Sequence, residues 1–469
     1  MYTWIVVCGG IFSFVAAMGI GANDAANAFA TSVGSGALTV KKAAGLAVIF
    51  ETAGAILMGS HVTDTIRKGI ADYQCFENQP EVLMYGCMWV VICVGGWLFT
   101  ATYYELPVST THSCVGGMIG MTIALAGSDC VQWYRQVDDF PYVSGVIGIV
   151  LSWFISPIFS GVVSSILFGS LRSLVLRNNN SQHRIKIAFP VLVSLTLIIN
   201  SFFIIYKGAK GLGLHKIDFG IATLISCGIG LSGGLITYPI GKCITNKAVK
   251  IHEDNSNKYV SEVIKENSIE FGIVSEKELQ KVTEMNVNAE KFSNESEEIF
   301  KYIQVFSAIC DSFSHGANDV ANAIGPFAAI YLISKDVDIS KKMDMSEDSY
   351  WILSLGGIGI ATGLLIYGKK ITNALGRKLC KITPSRGTCI ELGSALVIIT
   401  GSRLKLPLST THCQVGATVG VGLLEKKRCK SINGKLLCKT AFGWIITCVV
   451  VGVSTGIMSF QGIYAPKII

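Results

Sequence analysis

The sequence predicts an all-α integral membrane protein of about twelve transmembrane helices, built from two inverted repeats with broken helices and re-entrant hairpins. Three observations predict it. Only 15% of the 469 residues are charged, where a soluble chain carries about 25%, and mean hydropathy is +0.51. Apolar runs long enough to cross a bilayer recur along the chain. Motifs from the first half return, in the same order, in the second.

The candidate spans are 3–22, 43–60, 82–104, 108–128, 143–168, 187–206, 217–240, 301–330, 350–368, 388–402, 407–424 and 440–460. The first has no basic segment before it and no small-residue cleavage site after it, so it is expected to be a retained span, not a signal peptide. Lys41 and Lys42 follow span 1. Arg172, Arg177, Arg184 and Lys186 follow span 5. Lys369, Lys370, Arg377, Lys378, Lys381 and Arg386 follow span 9, and Lys426, Lys427, Arg428, Lys430, Lys435 and Lys439 follow span 11. If spans alternate, these loops share one side, which basic loops mark as cytoplasmic. Opposite them lie Asp129, Asp138 and Asp139, then Asp336, Asp338, Asp344, Glu347 and Asp348. Both termini are then outside, and the expected location is the plasma membrane.

Three segments follow from this pass. Residues 1–240 form a first transmembrane half, with repeat 1 at about 1–130 and three connecting spans. Residues 241–300, charged and polar, form a cytoplasmic linker. Residues 301–469 form a second half, with the inverted repeat 2 and a last span. The sequons at Asn179 and Asn294 fall on the cytoplasmic side and are expected to stay unmodified. Fifteen cysteines are scattered singly with no CxxC pair, which disfavours zinc and suits small buried hydrophobes. Cys75, Cys87 and Cys130 lie in or near loops, and pairing among them stays open. The net charge of +7 lies mostly in loops and reads as an orientation signal, with no nucleic acid as partner.

"GANDAANAFA" at 21–30 returns as "GANDVANAIG" at 316–325, "LPVSTTHSCVGGMIG" at 106–120 as "LPLSTTHCQVGATVG" at 406–420, and faintly "GSHVTDTI" at 59–66 as "GKKITNAL" at 368–375. The GAND copies fall on spans 1 and 8, and an odd offset reverses direction. Inverted repeats meeting near the midplane characterise secondary transporters. Gly19, Gly21, Gly34 and Gly36 flank the first GAND motif, and Gly316, Gly325 and Pro326 the second, so each looks built to break a helix. Pro107 and Pro407 suit a first helical turn. Ser109, Thr110, Thr111 and Ser409, Thr410, Thr411 would then gather hydroxyls and free N–H groups at helix N-termini, where anions bind.

Asn23, Asp24 and Asn27, mirrored by Asn318, Asp319 and Asn322, complete the polar set. Intramembrane aspartates are functional by default. They cannot favour an anion alone, since like charges about 4 Å apart cost about 4 kcal/mol at an effective dielectric near 20. A bound cation removes that cost, so the set argues for co-transport of a cation and an oxyanion. His112 and His412 read as proton relays or, more in keeping with buried histidines, as hydrogen-bond partners. Asp311 and Ser314 are weaker candidates.

The paired GAND and STTH motifs resemble those of the inorganic phosphate transporter (PiT) family, and the resemblance covers nearly the whole chain. It implies phosphate uptake coupled to a cation, Na⁺ first and H⁺ as the alternative, with no cofactor and no enzymatic activity. It places phosphate at Asn23, Asp24, Ser109, Thr110, Thr111, Asn318, Asp319, Ser409, Thr410 and Thr411. Cation coupling falls to Asp24, Asn27, Asp319 and Asn322, with two membrane glutamates, Glu51 in "FETAG" and Glu391 in "IELGSA". These are not repeat equivalents: Glu51 aligns with Ile360 and Glu391 with Val91. Membrane lipid is an expected partner and a homodimer an open alternative. Rival readings are a permease for another oxyanion, such as sulfate or arsenate, a channel, or an integral-membrane phosphatase using Ser109 or His112. Two symmetric copies without an Arg or Lys clamp speak against the enzyme.

Overall fold

The structure is a computed structural model that describes residues 2–138, 142–206, 217–255, 283–335, 350–425 and 428–464. At a few helical positions, Asn27 among them, the backbone alone is described. Residues 256–282 of the expected linker and the acidic stretch 336–348 lie outside the described residues.

Helix α1 (Thr3–Ile20) passes through a π-helical turn, Gly21–Ala25, into α2 (Ala26–Gly34). A π-bulge is a frequent mark of a functional site. Helix α3 (Val40–Lys68) starts at Thr39, whose hydroxyl accepts from Lys42 N, and ends on Arg67 and Lys68, which complement its dipole. Helix α4 (Pro80–Tyr103) opens on a proline at its first turn. Helix α5 (Thr110–Ala126) is capped by Ser109 and ends at Gly127, whose φ of +92° suits glycine. Then follow α6 (Val146–Leu171), α7 (Ser181–Ile205) and α8 (Phe219–Asn255), which runs beyond the boundary expected at residue 240.

The second half opens with α9 (Asn294–Ser334), capped by Ser293 and starting inside the expected linker. Helices α10 (Tyr350–Tyr367), α11 (Lys369–Lys378), α12 (Pro384–Arg403), α13 (Thr410–Leu423) and α14 (Gly434–Tyr464) complete it. The one described sheet is a short antiparallel pair, Arg135–Gln136 with Val143–Ser144.

Eight of the described helices are long and apolar enough to cross a membrane, so the count of about twelve is not reached on those terms. The four expected spans that drop out are α5, α9, α12 and α13. They are the helices that carry the second GAND motif, both STTH motifs and Glu391. Polar site residues lower hydropathy, and α5 and α13 have only 17 and 14 residues because their first turns start late. Large apolar side chains point outward in stripes, as with Phe154, Ile158 and Ile166 on α6 and Ile445, Val449, Val453 and Ile457 on α14. Such belts suit lipid and are foreign to a surface in water.

The broken-helix expectation is corrected at the second motif. Helix α9 runs unbroken through Gly316–Gly325 and past Pro326; only the first copy is interrupted, and by a π-turn. The irregular backbone lies instead at Leu106–Ser109 and Leu406–Ser409. The turns before them carry the non-glycine residues Glu105 and Lys405 at positive φ, 55° and 60°. Tyr103, Tyr104 and Lys405 are exposed, and the chain is buried from Pro107 and Pro407 onward.

Packing establishes the inversion. Tyr2 and Pro80 lie beside Ser334 and Lys335, so α1 begins where α9 ends. Thr65 donates to the Lys405 carbonyl at that end, where a disulfide joins Cys75 to Cys130; Cys87 is free and buried in α4. At the opposite end Ser35 meets Gln304, and Arg172 donates to the Leu424 carbonyl. Thus α5 runs towards the disulfide end and α13 away from it.

The repeat is also longer than the motifs indicate. Gly116 and Gly120 on α5 lie against the backbone of Cys448 and Gly452 on α14, while Gly416 and Gly420 on α13 lie against Pro157 and Gly161 on α6. The interval from Pro157 to Cys448 equals that from Gly161 to Gly452 and from Trp153 to Trp444. Helix α6, expected among the connecting spans, is therefore the mirror of α14. The fifth helix lacks a polar motif, which hid it in the sequence.

Helices α3 and α9 cross at close range. A Cβ on Gly316 would fall inside the Glu51 backbone, and one on Gly54 inside that of Phe313. Alanine raises helix propensity by about 1 kcal/mol over glycine, but overpacking costs about 1–3 kcal/mol. Gly316→Ala is therefore expected to lower the melting temperature of the purified protein. An unchanged or higher value would show that the crossing can relax.

Candidate functional site

The two extended segments and the two GAND motifs meet in the protein interior. Asn23 is a brace. Its Nδ2 donates to Thr102 Oγ1 (3.1 Å) and the Leu106 carbonyl (2.9 Å), and its Oδ1 accepts from Val108 N (3.0 Å). Asn318 is the mirrored brace. Its amide is satisfied at both ends when nitrogen faces the Leu408 carbonyl (3.1 Å) and Asp319 Oδ1 (3.2 Å) and oxygen faces Ser402 Oγ (3.2 Å). Buried extended backbone needs such partners, and a short amide from the neighbouring helix supplies them.

Asp24 joins the repeats. Its Oδ2 accepts from Thr110 Oγ1 at 2.8 Å, and its Oδ1 from Thr411 Oγ1 of the other half at 2.6 Å. Asp319 accepts from Thr410 Oγ1 at 2.5 Å, the mirror of the Thr110 contact. Asn322 reaches back across the repeats, donating to Thr110 Oγ1 (3.1 Å), Thr111 Oγ1 (3.3 Å) and Asp319 Oδ1 (3.4 Å). Thr111 donates to the Leu408 carbonyl at 2.9 Å. Ser109 and Ser409 cap their helices, and their hydroxyls touch at 2.9 Å. All these side chains are buried. The side chain of Asn27 lies outside the described residues.

The two glutamates occupy unlike surroundings. Glu51 Oε2 lies 2.8 Å from His315 Nδ1, and His315 Nε2 lies 2.9 Å from Asp319 Oδ2, close enough for an ion pair though not aligned as a hydrogen bond. His315 therefore bridges Glu51 to the central aspartate. Sequence reasoning missed it; the available signal was its place one helical turn before Asp319, on the same face. Glu391 sits in a nest of donors, Thr31 Oγ1, Ser32 Oγ, Ser307 Oγ and Gln304 Nε2, at 2.5, 2.6, 2.5 and 3.1 Å. The aligned Ile360 and Val91 are apolar, so the pseudo-symmetry is broken at both glutamates.

Of the weaker candidates, Ser314 bonds back to the Cys310 carbonyl of its own helix. Asp311 is buried near Ser394, and among the described residues neither carboxylate oxygen has a well-aligned hydrogen-bond donor. Asp24, His315 and Asp319 present ligand atoms within 4.8 Å of one another. A cation among two carboxylates and hydroxyls, next to an anion on hydroxyls and helix N-termini, is chemistry this arrangement can support.

This polar centre spans the interval over which the chain matches a family model. The model is that of the phosphate transporter family, and it matches residues 20–455. The chain belongs to the phosphate transporter family. It is an integral membrane protein and a member of a family of transporters, not enzymes. It is similar to a phosphate-repressible phosphate permease of Neurospora crassa, at 29% identity over 99% of this chain and 98% of that one. It is also similar to the sodium-dependent phosphate transporter 1 of Mus musculus, at 27% identity over 99% of this chain and 96% of the other. A solved structure of a sodium-dependent phosphate transporter superimposes with a TM-score of 0.79 at 30% identity, covering 98% of this chain and 100% of that one.

Proposed function

We propose that this phosphate transporter family member is a secondary active transporter that moves inorganic phosphate by symport with Na⁺, alternating access around the paired motifs. The observation that carries the reading is the crossing of the repeats at Asp24 and Asn322, which bond Thr411 and Thr110 of the opposite half. A site shared by two inverted halves changes its exposure when one half rocks against the other. Asp24 and Asp319 then hold cations that neutralise the incoming anion, and the STT hydroxyls and helix N-termini hold phosphate. The similarity to proteins named as sodium-dependent supports Na⁺. The plasma membrane, with both termini outside, is part of the same reading; the disulfide lies at the end assigned outside.

The test is uptake of radiolabelled phosphate into proteoliposomes, with Na⁺ replaced by choline across a pH series. Saturable uptake that needs Na⁺ is expected. Uptake that persists in choline and grows as pH falls would transfer the coupling to H⁺, for which the Glu51–His315–Asp319 chain is a ready path. Competition by sulfate would overturn phosphate selectivity, because sulfate lacks the proton with which phosphate donates to carboxylate or amide oxygens.

The threonines give a graded expectation. Thr411 bonds a carboxylate, an interaction worth about 1.5–3 kcal/mol, whereas the Thr111 bond to a carbonyl is worth about 1 kcal/mol. Both Thr411→Val and Thr111→Val should raise the half-saturating phosphate concentration, Thr411→Val by about tenfold or more and Thr111→Val by less. Unchanged half-saturation in both would reduce the triplets to helix caps.

A further inference from the structure

Behind the touching Ser109 and Ser409 hydroxyls lies a stack of four rings. Trp153 on α6 stacks on His112 with centroids 3.5 Å apart, His112 lies 4.7 Å from His412, and His412 lies 3.6 Å from Trp444 on α14. The order Trp–His–His–Trp is that of the repeats themselves, since Trp153 mirrors Trp444 and His112 mirrors His412. The pseudo-twofold therefore passes between the two histidines. Both are buried.

The hydrogen bonds of the stack do not obey that symmetry. His112 Nδ1 contacts Ser109 Oγ, the cap of its own helix, at 2.7 Å. His412 Nδ1 instead contacts the Trp153 carbonyl at 2.8 Å. A carbonyl only accepts, so His412 carries its proton on Nδ1 and donates; a serine hydroxyl takes either role. His412 Nε2 and the indole nitrogens of Trp153 and Trp444 have no hydrogen-bond partner among the described residues. The Nδ1 bonds distinguish the halves. The mirrored arrangement uses groups already in place: His412 with Ser409, three residues before it, and His112 with the Trp444 carbonyl.

A rotation that exchanges inverted repeats also exchanges the two faces of the membrane. An arrangement in which the halves differ thus has a counterpart with the faces swapped. We propose that the Trp153–His112–His412–Trp444 stack is a two-position toggle, and that the opposite access state has His412 on Ser409 and His112 on the Trp444 carbonyl. The histidines and tryptophans are positioning residues: they set the orientation of the two capping serines and so of the STT hydroxyls beside them. The inference rests on the alternating-access reading above.

The two histidines have opposite assignments, which separates a toggle from a purely structural stack. Removing His112 deletes the serine bond of this state and the carbonyl bond of its mirror; removing His412 deletes the converse pair. The reporters are Leu106→Cys and Leu406→Cys, half-buried below the turns at opposite ends. The full chain in lipid nanodiscs is treated with a maleimide, and the two modification rates are read by peptide mass spectrometry. His112→Ala should move their ratio one way and His412→Ala the other, each by up to about tenfold, because each variant takes a serine bond from one state and a carbonyl bond from the other and their difference sets the shift. His112→Asn and His412→Asn, which keep a donor near the δ position, should return the ratio towards the parent value. Should the alanine variants fail to fold, His112→Gln and His412→Gln fill the ring volume without a δ donor and carry the same expectation. A ratio that is unchanged, or that moves the same way in both variants, overturns the toggle. Because the readout needs no phosphate, failure of the symport reading would appear separately, in the uptake assay.

Discussion

Asp24→Asn and Asp319→Asn are each expected to abolish cation-coupled phosphate uptake while the protein still reaches the membrane. Asparagine keeps the shape of aspartate and one of its acceptor oxygens, so the threonine hydroxyls around each position, Thr110 and Thr411 on Asp24 and Thr410 on Asp319, lose little packing. What is lost is the charge. A carboxylate about 4 Å from a cation contributes about 4 kcal/mol at an effective dielectric near 20, which corresponds to about a thousandfold in cation affinity. Uptake at fixed Na⁺ should therefore fall at least a hundredfold, and raising Na⁺ should restore part of it. Membrane abundance and melting temperature act as controls. Near-normal uptake in both variants would remove the aspartates from cation coupling.

The second large effect concerns the bridge from Glu51 through His315 to Asp319. Removing one member of a buried hydrogen-bonded pair leaves the other unsatisfied, at a cost of about 1–3 kcal/mol and more where the group is charged, whereas replacing both is often far milder. His315→Gln and Glu51→Gln should each lower the melting temperature markedly and cut uptake more than tenfold. The double variant should be more stable than the sum of the single losses predicts, and no slower in uptake than the worse single variant. Two neighbours in contact are expected to couple by about 0.5–3 kcal/mol. Simple additivity in both readouts would mean that the 2.8 Å contact carries no coupling, and that Glu51 acts apart from the central aspartates.

Much of the site was legible in the sequence. The GAND and STTH motifs mark themselves because polar residues in apolar spans are costly, and because each occurs twice. The inversion followed from counting spans between copies, and the packing of α1 against the end of α9 agrees with it. Other features were illegible for stated reasons. His315 has no counterpart in the first motif, where Ile20 stands at the aligned position, so the repeat did not flag it. The nest around Glu391 draws on Thr31, Ser32, Gln304 and Ser307, ordinary polar residues whose convergence needs three helices. The kinship of α6 and α14 rests on glycine crossings and a tryptophan pair, too sparse to register along the chain. The second motif kept its helix despite Gly316, Gly325 and Pro326, because dense packing on α3 and α12 overrides local propensity.

The sequence by itself determined the membrane class, the inverted duplication and the polar residues that occupy its centre. These depend on hydropathy, spacing and repetition, which are properties of the chain read locally. Only the tertiary structure decided how those residues are joined: Asp24 to Thr411, Glu51 to His315, His412 to the carbonyl of Trp153. Each of those partners is hundreds of positions away. Only packing brings them within the few ångströms over which a hydrogen bond acts, and packing also chose which half keeps its symmetry and which departs from it.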